Sequence, residues 1–134
     1  MRVRKKINRK YVSSIWLSLS DGPHADSALF ALNLNNLPSI DRLVVEAILP
    51  EYKKMPPLMR VRVKDSLKYA INFYSDGELV RCYESAIPEI DSPSKISIRD
   101  FYRLVWERMF SAEDWRCDDK DQYFCIPVSD IYSE

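Results

Sequence analysis

Two thiols and five carboxylates fall within the fifteen positions SAEDWRCDDKDQYFC, Ser111 to Cys125. These are the residue types that bind metals, exchange disulfides or meet cations. A structural zinc site needs ligands in close pairs, so that one turn presents two of them. Here Cys117 and Cys125 are eight positions apart, the third cysteine is Cys82, and the single histidine is His24. A Cys3His set would have to be assembled by the fold, and the spacing does not predict one. Hard-cation binding by Asp118, Asp119 and Asp121 would need acids at alternating positions, a central glycine and a closing glutamate. That pattern is missing, and neither a metal nor a cofactor is expected.

Redox chemistry needs a thiol whose pKa is lowered by a cation or a helix N-terminus. Cys117 has Arg116 before it but Asp118 and Asp119 after it, which disfavours the thiolate. Cys82 and Cys125 fall in stretches that read as strands, where cysteines fill space. His24, in DGPHAD between Asp21 and Asp26, could be oriented for acid–base work, although a polar loop is its simpler reading. Glu107, Glu113 and Asp114 beside Trp106 and Trp115 resemble a sugar-binding surface. A glycosidase places its carboxyl pair across a cleft, for which so small a domain has little room. No catalytic residue is assigned, and a non-enzymatic protein is expected.

Charge is more informative. The 134 residues carry no net charge, yet residues 1–20 hold six cations (Arg2, Arg4, Lys5, Lys6, Arg9 and Lys10) and no acid. Residues 100–134 hold nine acids against four basic residues, a local charge of −5. With 46% hydrophobic and 30% charged residues the composition is that of a globular chain. Two glycines exclude a glycine-rich phosphate loop. No apolar run is long enough to span a membrane, and the basic start lacks the unbroken apolar stretch of a secretory signal. Three cysteines, an odd number, suggest reduced thiols and hence a cytoplasmic protein.

The elements that must position these groups read as one α+β domain over residues 11–134, preceded by a basic N-terminal arm over 1–10. YVSSIWLSLS alternates through Ile15, Leu17 and Leu19 and reads as a strand. SALFALNLNN alternates in the same way and completes a hairpin across DGPH, a helix being its competing reading. SIDRLVVEAILPEY carries a helical stripe, with Ser39 as cap and Pro50 as stop. A helix is expected from about Pro57 into the low seventies, although INFYSDGELVRCY also reads as a hairpin around Asp76-Gly77. ELVRCYES reads as a strand. SIRDFYRLVWERMF is the strongest helix, capped by Ser97 with Asp100, and QYFCIPV reads as a final edge strand. The expected architecture is a small, mostly antiparallel sheet packed with about three amphipathic helices.

Two functions suit these features. The acidic C-terminal stretch, with Glu113, Asp114, Trp115, Asp118, Asp119, Asp121 and Tyr123 as its binding residues, has the makings of an interface for a basic protein. By analogy of physical design, an inhibitor, immunity protein or antitoxin covers a cationic toxin or nuclease in this way. The alternative is a nucleic-acid-associated regulator that grips phosphates with the basic arm and stacks bases on Tyr11 and Trp16. Against both stands a simpler reading, in which the aromatics of the last strand are core and the two charge clusters pair with each other.

Overall fold

The computed structural model describes residues 4–19, 32–88 and 90–130. The expected antiparallel sheet is absent among them. The chain is mostly helical, and its one sheet among these residues consists of two short strands, β1 (Lys5–Ile7) and β2 (Tyr123–Cys125), which run parallel with Lys6 opposite Phe124.

YVSSIWLSLS is not the expected strand. This stretch is α1 (Arg9–Ile15), continued by a 3-10 turn over Trp16–Leu19. Its buried residues are Tyr11, Val12, Ile15, Trp16 and Leu19, a helical spacing, whereas Leu17 of the apparent strand face is exposed. Asn8 starts the helix by accepting the Lys10 N–H on its side-chain oxygen at 2.9 Å. Of the expected second strand of the hairpin, residues 27–31 lie outside the described residues and residues 32–36 form no strand but a turn before the next helix. Arg2 and His24 also lie outside the described residues.

Asn36 caps α2 (Leu37–Leu43), and Ser39 donates its N–H to that cap at 2.9 Å instead of forming it. Pro50 does not end this region. A π-turn over Val44–Ile48 leads into α3 (Leu49–Lys54), and the Leu49 N–H bonds five residues back to Val44. A proline lacks an N–H and crowds the carbonyl four residues earlier, so the widened turn accommodates Pro50 without breaking the rod. The chain turns extended at Met55, directly before Pro56.

The long helix α4 (Pro57–Phe73) begins with proline in its first turn, as expected. The hairpin read around Asp76-Gly77 does not form. Ser75 and Glu78 make a reciprocal capping box that opens α5 (Asp76–Glu84), so ELVRCYES is helical as well. Ser97 caps α6 (Ile98–Met109), which buries Phe101, Tyr102, Val105 and Trp106.

One apolar core joins these helices. Trp16 stacks on Phe101 at 5.4 Å and meets Tyr83 and Tyr102 edge-on, each such pair adding about 0.5–1.5 kcal/mol to simple burial. The polar ends of this cluster are satisfied inside it. The Trp16 indole donates to the Tyr102 hydroxyl, which donates to the Leu79 carbonyl at 2.6 Å. Tyr11 and Trp16 are therefore core residues, unavailable for stacking on bases. No helix among the described residues is long and apolar enough to cross a membrane.

Candidate functional site

The acidic stretch is a segment fastened across α4. The Trp106 indole donates to the Glu113 carbonyl at 2.9 Å. Further on, the Asn72 amide donates to the Trp115 carbonyl at 2.7 Å and accepts the Cys117 N–H at 3.0 Å. Side chains of two helices, Trp106 of α6 and Asn72 of α4, thus bond the backbone of this irregular loop. Those bonds hold it in one path.

Several of the expected binding residues spend their charge within the molecule. Glu113 pairs with Lys64 and lies 4.0 Å from Lys68, and the hydrogen bond from Lys64 holds its carboxyl below the usual range. Asp114 accepts the Arg116 backbone N–H at 2.9 Å and its guanidinium at 3.2 Å, which lowers its pKa too. Asp119 caps a 3-10 turn by accepting the Asp121 N–H at 3.1 Å. The Trp115 ring has the Arg103 and Arg116 guanidinium groups against it at 5.9 and 5.8 Å. An open depression of about 450 Å³ lies here, lined by Glu107, Ser111, Glu113, Asp114, Trp115 and Arg116. Trp106 is buried, so the expected pair of tryptophans does not form a sugar platform.

Asp118 and Asp121 differ from these. Both are exposed, and neither carboxylate has an ion-pair partner among the described residues. Tyr123 turns inward against Tyr69 at 5.1 Å, with only 7% of its surface exposed. The exposed aromatic of the strand is its neighbour Phe124, at 49%. The outward residues of this region are thus Asp118, Asp121 and Phe124.

The basic start is divided. Lys5 and Lys6 stand on β1, and Arg9 and Lys10 open α1. Arg9 pairs with Glu78 and lies over the Tyr74 ring, while Lys5 lies over the Tyr123 ring at 5.7 Å. Arg4, Lys6 and Lys10 remain exposed. Residues 5–8 and 123–126 do meet, through the backbone ladder of β1 and β2 and the Asn8 amide donating to the Ile126 carbonyl at 2.7 Å. Among the described residues no ion pair joins the two charge clusters, although Lys5 is near enough to Glu113 to help lower its pKa. Arg9 uses α5, and Glu113 uses α4.

The thiols are free and separate. Cys82 is buried in α5, with its pKa raised by that burial, and not on a strand; Cys125 is exposed on β2. Among the described residues no cluster of His, Cys, Asp or Glu could hold a metal. Asn72, Lys64 and Lys68 were not singled out by sequence reasoning. Nothing local marks them, because their roles exist only once the later loop lies across α4.

No family model matches the chain, and comparison with curated proteins and with solved structures gave no match either. The functional reading therefore rests on the residues themselves.

Proposed function

We propose that the chain is a non-enzymatic binding module that docks a basic protein on the surface around Asp118, Asp121 and Phe124. The most specific form of this reading is an inhibitor or immunity-type protein for a cationic toxin or nuclease. One observation carries it: two exposed carboxylates, with no ion-pair partner among the described residues, precede an exposed aromatic, Phe124, within a few positions on a segment that Asn72 fastens at Trp115 and Cys117. An ordered charged surface binds with a smaller entropy loss than a loop that must first be fixed. Exposed carboxylates steer a cationic partner into encounter, and an aromatic supplies contact area once it arrives.

The nucleic-acid reading has less support. Arg9 and Lys5 already have internal partners, and the two aromatics it needed are buried. Of the described cations at the start of the chain, Arg4, Lys6 and Lys10 would have to carry it.

The test is affinity capture with the tagged protein from its native lysate, with and without nuclease and at low and high salt. A stoichiometric basic protein is expected, retained after nuclease digestion and lost with Asp118→Lys/Asp121→Lys. Material that disappears on digestion would transfer the reading to nucleic acid and the basic start. Capture unaffected by the charge reversal would remove the acidic surface from it.

A further inference from the structure

A parallel ladder leaves a definite set of backbone groups on its outer edge. Successive residues of a strand turn their N–H and C=O alternately toward one side and the other. The Ile126 N–H donates to the Ile7 carbonyl at 2.9 Å, so Phe124 also faces β1, while Tyr123 and Cys125 face away. The Tyr123 N–H is taken by the Lys120 carbonyl. The Tyr123 carbonyl and both backbone groups of Cys125 have no backbone partner among the described residues. β1 packs against α4, whereas no third strand lies along β2 among the described residues.

Proteins commonly blunt such an edge with a lysine, a proline or a covering loop. β2 reads Tyr-Phe-Cys, with no charge and no proline inside it, and Pro127 comes only after the strand has ended. Asp118 and Asp121 lead directly into the strand and outnumber the single cation between them, Lys120. Phe124 supplies an exposed apolar surface on the strand itself.

We propose that the outer edge of β2 accepts an extended, cationic segment of a partner protein as a third strand. The inference rests on the acidic-surface reading above and adds the mode of recognition. The Cys125 N–H donates to the incoming backbone and the Cys125 and Tyr123 carbonyls accept from it. Asp118 and Asp121 meet its basic side chains.

The probe is a short peptide of alternating lysine and valine, titrated by fluorescence anisotropy and monitored by amide hydrogen exchange at Cys125. Wild type and Cys125→Ser should bind it alike, because only the backbone of that residue is used. Cys125→Pro, which removes the N–H, should bind about ten-fold more weakly, the equivalent of one lost hydrogen bond. The peptide should slow exchange of the wild-type Cys125 N–H about ten-fold or more, a readout that holds even if the proline variant fails to fold. Unchanged exchange at Cys125, with binding that still collapses in Asp118→Lys/Asp121→Lys, would overturn strand addition and leave the acidic surface standing. Slowed exchange with binding indifferent to the charge reversal would instead count against the acidic reading. A peptide that does not bind wild type at all would overturn the strand proposal.

Discussion

Arg99 closes the end of a helix to which it does not belong. From the first turn of α6 it donates to the carbonyl of Tyr74, 25 residues earlier, at 2.6 Å. A second guanidinium nitrogen reaches the Ile71 carbonyl at 2.5 Å, and Asp76 lies 3.0 Å away. The last carbonyls of α4 have no partner within their own helix, so one planar cation from α6 fills that need and ties the two helices together.

Arg99→Ala should therefore destabilise the protein by about 1–2 kcal/mol, the low end for charge-assisted bonds because the side chain is partly solvated. Arg99→Lys should recover only part of the loss, since an ammonium cannot span both carbonyls. Urea denaturation checks both. Equal stability of the three proteins would mean that water serves these carbonyls as well.

The Asn72 clamp makes a separate prediction. Asn72→Ala leaves the Trp115 carbonyl and the Cys117 N–H without their partner, at a cost of about 1–2 kcal/mol. Exchange of the Cys117 amide should speed up far more than that of the α6 core. Amide exchange by NMR separates local loosening of the loop from global destabilisation.

Ile87 has a backbone φ of 52° and an exposure of 77%. A β-branched residue is strained in this left-handed region, and the exposed side chain contributes little packing in return. Ile87→Gly should raise stability by about 0.5–1 kcal/mol, the relief of strain less the added freedom of the unfolded chain. Ile87→Val, which keeps the branch, should leave it unchanged. Equilibrium denaturation of the two variants decides the matter.

Two carboxylates should shape acid stability in opposite directions. Burial raises the Asp65 pKa above its ordinary 3.8, with Lys5, Lys64 and Lys68 pulling it down and Glu113 adding to the rise. Between the unfolded value and the raised folded one, the native state keeps a proton that the unfolded chain has lost. Stability from this group therefore falls as pH rises through that window, and the deficit persists above it. The Glu113 pKa is lowered from 4.5, so its contribution is present above that value and fades as pH drops through the lowered one. Asp65→Asn should melt higher than wild type at neutral pH and converge with it in acid. Glu113→Gln should melt slightly lower at neutral pH, by less than about 1 kcal/mol because the pair is solvated, and converge in acid too. Melting curves from about pH 3 to pH 7 read both slopes.

Where the chain carries its own local instructions, those instructions were legible. The apolar stripe and Ser97 cap of α6 are within one element, and so is the proline start of α4. Where two local patterns compete, only the tertiary structure chooses between them. In YVSSIWLSLS the period-two set Ile15, Leu17, Leu19 coexists with the period-3.6 set Tyr11, Val12, Ile15, Trp16, Leu19, and burial of Trp16 beside Phe101 and Tyr102 selects the second. Around Asp76-Gly77 the hairpin signal was the more conspicuous, yet Ser75 and Glu78 spell a capping box in the same four residues. The acidic surface was legible as composition. Which of its carboxylates remain free was not, because Lys64 lies 49 positions before Glu113 and pairs with it only in the fold.

By itself, the sequence determined the helices with a single unopposed periodicity and a cap, the lopsided charge, and the absence of a glycine-rich phosphate loop. These depend on neighbours within a few residues. Tertiary structure alone decided that the sheet of the described residues joins Lys5–Ile7 to Tyr123–Cys125, with Asn8 bonded to a carbonyl 118 positions away. It likewise decided that Tyr123 turns inward while Asp118 and Asp121 stay exposed, without an ion-pair partner among the described residues. Ladder partners and ion pairs between distant segments gain nothing until the core has brought those segments together, so no local pattern encodes them.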